Sequence, residues 1–550
     1  MEQANVQGQL PQEDVTRAAL ALKAGRPVIF PTETVYGLGV MVSKDTSPEE
    51  LYKIKRRDAE KPIAWLVPDA SALDRYGLRV PEWARALAGR YWPGPLTLVV
   101  PTSAAVSSRW CSRNRTVALR VPADETAQQL LAEVDAPLAT SSANIQGRIA
   151  PRAPWHIARS VRRQVACVVE RGRSPQGVAS TVVDATGPEP VILREGPITP
   201  QMIEEACGVA PRLASPGESG IAVGKELLEV PSTDGSNIQR GFIWAPTEVL
   251  AGTKEPVGTV QLVHGMVEFV DRYDAFARFL ARHGYAVYGC DLPGHGDTAQ
   301  SPRLWGHLPL KGGADLLVND TLAVCRAVSA RFSGAPRFIF CHSMGTFVVR
   351  ALLSRFDGLG TSPDGYPLPL TGVVLSGTGN QPVALSRFGN FLARLLATFK
   401  GERAHSPFFN NLTLGSYNKA FEPVRTSCDW LSVNEENVDA YLDDPRNTYS
   451  FTLGGYAALT TLTREAASAR GARHVPRDLP LLFIAGSDDP VGASGEGVKA
   501  AARLYRQAGV SDVGVRLIDG CRHEILNEDN RDETFVTILE WFDQHREARS

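Results

Sequence analysis

The sequence offers no cysteine framework. Its eight cysteines stand singly across 550 residues, with no C-x-x-C pair and no histidine at zinc-ligand spacing, so neither a disulfide scaffold nor a metal knuckle is indicated. It contains no apolar run near the roughly 20 residues that span a bilayer. The stretch from Met1 to Glu13 lacks the basic-then-apolar pattern of a leader, and a cytoplasmic location is the expectation. A charge excess is missing too. The formal net charge is -2, which excludes an overall field drawing the molecule to nucleic acid or an anionic membrane; any such attraction has to be local. No internal repeat is found. What is present is ordinary globular composition, 43% hydrophobic and 21% charged, in a chain long enough for about two to four domains.

A first helix, about Asp14 to Ala24, leads into the apolar strand Pro27 to Phe30. Then comes Pro31-Thr32-Glu33-Thr34-Val35-Tyr36-Gly37-Leu38-Gly39, read as a hydroxyl-rich loop closed by glycines. A polar ligand and an ordinary turn with capping threonines both fit these nine residues. Ser47-Pro48-Glu49-Glu50 reads as a capping box opening a helix whose far end delivers Lys53, Lys55, Arg56 and Arg57, followed by Lys61-Pro62. Cations at a helix C-terminus offset the dipole, and the same groups can share the charge of a polyphosphate. Further strand ends carry P-G-P-L-T (93–97), L-R-V-P (119–122), S-A-N (142–144), S-T-V-V-D (180–184) and L-R-E-G (193–196).

Together these motifs resemble the YrdC family of threonylcarbamoyl-AMP synthases over residues 10 to 205. The resemblance implies a twisted α/β sheet with a basic concave face. The implied reaction condenses L-threonine, bicarbonate and ATP into threonylcarbamoyl-adenylate and pyrophosphate, for threonylcarbamoyladenosine formation in tRNA. It also implies that Thr34, Arg120 and Ser180 hold threonine, and that Lys55, Arg57, Lys61, Thr116, Ser142, Asn144 and Arg194 surround the nucleotide. Magnesium is expected with ATP, although no dedicated carboxylate cage is seen. Where the family has glycine and proline this chain has Arg56 and Asp58; Gln146 and Ala150 replace two family hydroxyls. Arg159, Arg162, Arg163, Arg171 and Arg173 form a cluster that either contacts tRNA or double-stranded RNA or is a solvated face. Partner proteins of tRNA modification are expected. A non-catalytic nucleotide- or RNA-binding module, or a carbamoyl-adenylate module serving another acceptor, are the alternatives.

Residues 207–240, rich in Gly, Pro and Ser, read as a linker between a domain at 1–206 and another at 241–550. In the second, strands alternate with helices, which implies a mainly parallel sheet. Phe340-Cys341-His342-Ser343-Met344-Gly345 places a serine where a buried strand turns into a helix, one residue away from G-x-S-x-G. Two later strands end in Gly486-Ser487-Asp488-Asp489 and Cys521-Arg522-His523-Glu524. Ser, Asp, His is the chain order of α/β-hydrolases. Ser343 is the expected nucleophile, His523 the base and Asp489 the orienting acid, with the Met266 and Met344 amides as oxyanion donors. His295, His307 and His342 are read as structural or pocket-lining.

Residues 241 to 550 resemble the monoacylglycerol lipase and lysophospholipase group through H-G-M-V-E, D-x-P-G-H-G, H-S-M-G, G-S-D-D-P-V-G and R-H-E-I-L-N-E. An insertion at about 378–475, carrying Phe388, Phe391, Leu392, Phe399, Phe408, Phe409, Tyr417 and Tyr441, is expected to be a helical cap over a pocket for a small lipid-like ester. The expected fold class is therefore α/β throughout: a YrdC-like domain followed by an α/β-hydrolase domain.

Overall fold

A computed structural model describes residues 12–58, 63–214, 221–355, 369–411, 415 and 417–547. The chain divides into two compact units, residues 1–226 and 227–550.

Among the described residues the first unit is built on ten strands: β1 (Val28–Phe30), β2 (Gly37–Met41), β3 (Ala64–Leu66), β4 (Leu96–Pro101), β5 (Thr116–Arg120), β6 (Leu138–Ser142), β7 (Cys167–Val168), β8 (Thr181–Asp184), β9 (Val191–Arg194) and β10 (Arg212–Leu213). They form one mixed sheet in the order β10-β9-β8-β4-β5-β3-β6-β2-β1-β7. Two-residue alternation sorts the faces. Ile29, Leu38, Trp65, Leu98, Val117, Leu119 and Ala139 enter one core. On the other face, Val28, Phe30, Leu66 and Leu138 pack under the helices Gln12–Lys23 and Glu125–Val134. Thr116 and Arg120 share that second face by register, at opposite ends of β5, with Thr140 brought level with Ala64 and Ala118.

Three local expectations change. Gly37 and Gly39 lie in β2, not in a loop. A Cβ on Gly37 would meet Thr140 at 2.8 Å and one on Gly39 would meet Phe30 at 2.8 Å, so close strand packing is what demands glycine here. The capping box does not form: Pro48 occupies the cap position of helix Glu49–Lys55 without a side-chain bond, leaving Ser47 one residue outside it. The linker is shorter than 207–240. Helix Pro200–Cys207 and β10 belong to the first unit's architecture, while β11 (Val223–Pro231) and β12 (Ile238–Pro246) open the second sheet.

That second sheet continues with β13 (Thr259–Val263), β14 (Ala286–Cys290), β15 (Arg337–His342), β16 (Gly372–Ser376), β17 (Leu481–Gly486) and β18 (Val513–Ile518), in the order β11-β12-β14-β13-β15-β16-β17-β18. From β14 onward all pairings are parallel. β13, β15, β16 and β17 are buried almost throughout, as expected for a sheet covered on both faces. Helices between Val383 and Ala472 are inserted between β16 and β17, where the cap was expected.

Candidate active sites

Around the ends of β5, β6 and β9 the first sheet gathers cations. Arg120 is buried and donates through Nη2 to Glu33 Oε1 at 2.6 Å and to Thr34 Oγ1 at 2.9 Å, and through Nε to the Gly94 carbonyl at 3.1 Å. Thr34 Oγ1 also lies 2.9 Å from Thr32 Oγ1. Ser180, just before β8, is buried with its hydroxyl 2.9 Å from Thr97 Oγ1. It accepts from Arg194 Nη2 at 2.9 Å, and Arg194 also donates twice to the Ser180 carbonyl, at 3.0 and 2.8 Å. Desolvation, then the charges of Arg120 and Arg57, pull the Arg194 pKa down to about 10. Arg194 thus lies close to two other guanidiniums, a setting that favours an anion.

Lys55 ends helix Glu49–Lys55 and is buried. Its Nζ donates to the Ser142 carbonyl, to the Asn144 carbonyl at 2.5 Å and to Asn144 Oδ1 at 3.3 Å. Burial, then Arg57, lowers its pKa to about 7. Lys55 therefore ties the S-A-N turn to the helix rather than extending into solvent. Arg57 Nη1 reaches Ser141 Oγ at 3.3 Å, and Asn144 Nδ2 donates to the Ile145 carbonyl at 3.0 Å and to that of Arg148. Thr116 Oγ1 is 2.7 Å from Ser112 Oγ. Lys61 lies outside the described residues. Among them, no group of three or more His, Cys, Asp or Glu side chains could hold a metal ion. Arg56, where the family has glycine, adopts a left-handed φ of 48° at the end of its helix. That conformation is the one glycine adopts without steric cost.

In the second unit Ser343 follows β15 and precedes helix Met344–Arg355, with a φ of 51°. A left-handed serine held between strand and helix is a strained corner. Its neighbours must be small. A Cβ on Gly345 would fall 2.3 Å from the Val263 carbonyl, while Cys341, fully buried, fits with its Sγ donating to the Val374 carbonyl at 3.3 Å. His523 Nδ1 lies 3.0 Å from both carboxylate oxygens of Asp489, and both residues are buried. Asp489 Oδ1 also accepts from the Val491 amide at 2.9 Å. The turn at Gly265 packs on Ser343: a Cβ there would meet Ser343 Cβ at 2.9 Å. Met344 heads its helix, where N–H groups have no intrahelical acceptor.

Around these groups lies a buried ionic network that reading the sequence missed. Glu268 Oε1 accepts from the Gly265 amide at 2.5 Å and from Tyr273 at 3.0 Å, and lies 3.0 Å from His342 Nδ1. Arg272 bridges Glu268 at 3.0 Å and Glu524 at 2.6 and 2.7 Å. Despite burial, Glu268 raises the His342 pKa, while His342 and Arg272 hold the Glu268 carboxyl below its usual range. The imidazole of His342 lies against that of His523, centroids 4.6 Å apart and planes tilted by 45°. The signal lies in H-G-M-V-E and R-H-E, which contain Glu268 and Glu524.

A cavity of about 350 Å³ opens on Ser343 and His523. Met266, Met344, Phe347, Leu392, Phe409, Trp430 and Leu431 line it, along with Phe388, Phe408, Tyr417, Tyr441 and Tyr456. Phe391 and Phe399, expected over the pocket, are instead exposed on the outside of the cap.

The family model described as Telomere recombination (Sua5/yciO/yrdC) matches residues 20–196, and that described as Serine aminopeptidase, S33 matches residues 254–530. A putative threonylcarbamoyl-AMP synthase of Mycobacterium tuberculosis is 35% identical over 195 residues, covering 36% of this chain and 89% of the relative. The chain belongs to both families. It joins a YrdC/Sua5-like threonylcarbamoyl-AMP synthase domain to an α/β-hydrolase domain with a helical cap.

The threonylcarbamoyl-AMP synthase of Pyrococcus abyssi is 36% identical to the synthase domain over 204 residues, 37% of this chain, and the match spans 60% of that relative's length. The hydrolase domain is similar to a crystallised thermostable carboxyl esterase from Bacillus coagulans, with a TM-score of 0.52 and 28% identity, covering 58% of this chain and 99% of the esterase. Both domains thus belong to enzyme families. Among the described residues, no helix of either domain is long and apolar enough to cross a membrane.

Proposed function

We propose that the chain is bifunctional, forming threonylcarbamoyl-adenylate in its first domain and hydrolysing a lipid-like ester in its second. For the first activity the supporting observation is the linked set of Thr34, Arg120, Ser180 and Arg194. Arg120 keeps donors free of Glu33 and Gly94 for a substrate carboxylate, with the Thr34 hydroxyl beside Arg120 and that of Ser180 beside Arg194. The threonine amine attacks the bicarbonate carbon, water leaves, and the resulting carbamate oxygen displaces pyrophosphate from the ATP α-phosphorus. No protein nucleophile is needed. Alignment of the three reactants and cationic stabilisation by Arg57 and Arg194 supply the catalysis. Magnesium, where bound, would be held by the triphosphate oxygens and would offset their charge, since no group of three or more His, Cys, Asp or Glu side chains among the described residues could hold a metal ion. The test is pyrophosphate release from ATP, dependent on both threonine and bicarbonate. Nucleotide binding without threonine-dependent turnover would replace this reading with that of a binding module.

The second activity rests on the Asp489–His523 pair beside a left-handed Ser343. His523 takes the Ser343 proton as Oγ attacks the ester carbonyl, then returns it to the leaving alcohol; Asp489 fixes the tautomer that leaves Nε2 free to accept. The Met266 and Met344 amides receive the oxyanion. Water then attacks the acyl-enzyme by the same route in reverse, releasing the acid. A fluorophosphonate probe labels the wild type and spares Ser343→Ala; equal labelling removes Ser343 from the mechanism.

A further inference from the structure

Glu33 is buried beside Arg120 with half of its carboxylate unused. Its Oε1 accepts from Arg120 Nη2 at 2.6 Å, and the same Nη2 reaches Thr34 Oγ1 at 2.9 Å. Its Oε2 is buried too, and among the described residues nothing donates to it. The Gln176 amide donates to the Glu33 carbonyl at 2.9 Å, and the side-chain oxygen of Gln176 is likewise buried without a donor. Buried acceptors are nearly always paired, and a carboxylate has room for several donors. These two acceptors mark where a ligand's donors arrive.

Charge says what the ligand brings. Glu33 and Arg120 form an ion pair, each side chain 8% exposed, so the site holds one negative and one positive group side by side. An amino-acid zwitterion carries the same two charges in reverse, its carboxylate meeting the guanidinium and its ammonium the carboxylate. Of the three reactants proposed above, bicarbonate and the triphosphate are anions that Glu33 repels. Threonine alone brings a cation. A second carboxylate is near: burial, and then the Glu33 charge, raise the Asp124 pKa against the pull of the Ala127 and Thr126 amides and of Arg171.

We infer that Glu33 holds the ammonium of the amino-acid substrate and is the base that frees its nitrogen to attack bicarbonate. The proton step rests on the synthase reading, whereas the ammonium contact needs no turnover. Of the three ammonium protons, one passes to Glu33 Oε2 while the electron pair of that N–H bond becomes the lone pair that forms the N–C bond. A second leaves with the bicarbonate hydroxyl as water, and the third stays on the carbamate nitrogen. Glu33 returns its proton to solvent, so ammonium and bicarbonate give carbamate, water and one proton with charge balanced.

The test uses the full chain in two arms. The first is calorimetric titration of L-threonine against 2,3-dihydroxybutanoate, which keeps the carboxylate and side-chain hydroxyl and replaces the ammonium by a hydroxyl. The wild type is expected to bind the analogue at least about tenfold more weakly, and Glu33→Gln to lose most of that preference. Equal affinity in the wild type, or binding of neither compound, overturns the inference without any variant having to fold. The second arm is threonine- and bicarbonate-dependent pyrophosphate release by Glu33→Gln, whose amide still accepts a hydrogen bond but takes no proton. Its kcat is expected to fall about 10²- to 10⁴-fold, more than the threonine KM rises, and Glu33→Asp to recover part of the loss. Rates are normalised to folded protein, because neutralising one member of a buried ion pair lowers stability. A Glu33→Gln kcat within about threefold of wild type, or a loss that added magnesium restores, overturns the base and leaves the synthase reading standing. A wild type that prefers threonine to the analogue but releases no pyrophosphate removes the synthase reading and the base with it, and supports the ammonium contact alone.

Discussion

We predict that Gly265→Ala disables the hydrolase domain while leaving its nucleophile in place. A Cβ at this position falls 2.6 Å from Glu268 Oε1 and 2.9 Å from Ser343 Cβ, where ordinary contact begins at 3.4 Å. The overlap is therefore about half an ångström or more on two sides. Neither neighbour can retreat. Glu268 is pinned by Arg272, Tyr273 and His342, each at 3.0 Å, and Ser343 sits at a strained corner. The turn itself has to move, taking the Met266 amide with it. An oxyanion donor acts within about 2.7–3.1 Å, and losing one costs roughly 3 kcal/mol, a fall of about 10² to 10³ in kcat. Overpacking also lowers stability by about 1–3 kcal/mol, so the assay is run well below the variant's unfolding temperature. The measurement is steady-state hydrolysis of a soluble short-chain ester, normalised to the fraction of folded protein. A kcat within about twofold of wild type would refute the reasoning, because an undisturbed turn leaves no room for the methyl group.

Asp489→Asn is expected to keep the fold and lower kcat about 10⁴-fold by favouring the wrong His523 tautomer, as read by the same ester assay; a loss below tenfold would detach Asp489 from His523. In the synthase domain, the Lys55 pKa of about 7 predicts proton uptake on ATP binding. At pH 8 the free amine is mostly neutral, and a nearby polyphosphate raises its pKa, so calorimetry in buffers of differing ionisation enthalpy reports a positive proton count that Lys55→Met abolishes. Without ligand the sign for stability is the reverse of a salt-bridged lysine's. The lowered pKa favours folding at high pH, and that contribution is lost as pH falls from the model-peptide value of about 10.4 toward 7, which pH-dependent denaturation of the isolated Lys55→Met difference reads. Arg56→Gly is expected to stabilise the first unit by about 1 kcal/mol, since it relieves a left-handed φ of 48°; an unchanged or lower unfolding midpoint would show that the arginine side chain holds contacts worth more than the strain.

Much of both sites was legible because strand ends announce themselves. Asp489 and His523 follow apolar strands and stop at polar turns, and their pairing at 3.0 Å needed only that β17 and β18 be neighbours. The ionic network was not legible. Glu268, Arg272, His342 and Glu524 are spread over more than 250 positions, and none alone points to the others. Only burial makes a carboxylate seek three donors at once. Lys55 is a second instance. At a helix end it read as a cation that offsets the dipole or meets a polyphosphate, whereas packing turned its Nζ onto the Ser142 and Asn144 carbonyls. The cap shows the opposite error: its aromatic content was visible, but helical spacing cannot say which side of a helix faces the protein, and Phe391 and Phe399 lie on the outer one.

The sequence by itself determined the two-domain α/β organisation, the order Ser343, Asp489, His523, and the motif set of the synthase half. These follow from periodicity and from residue types that a strand end or tight turn requires, which are local properties of the chain. Tertiary structure decided which charges are spent inside the protein and which remain for a ligand. It also decided that the cap presents its apolar stripe outward. Both depend on which surfaces are removed from water, and that is settled only when distant segments pack together.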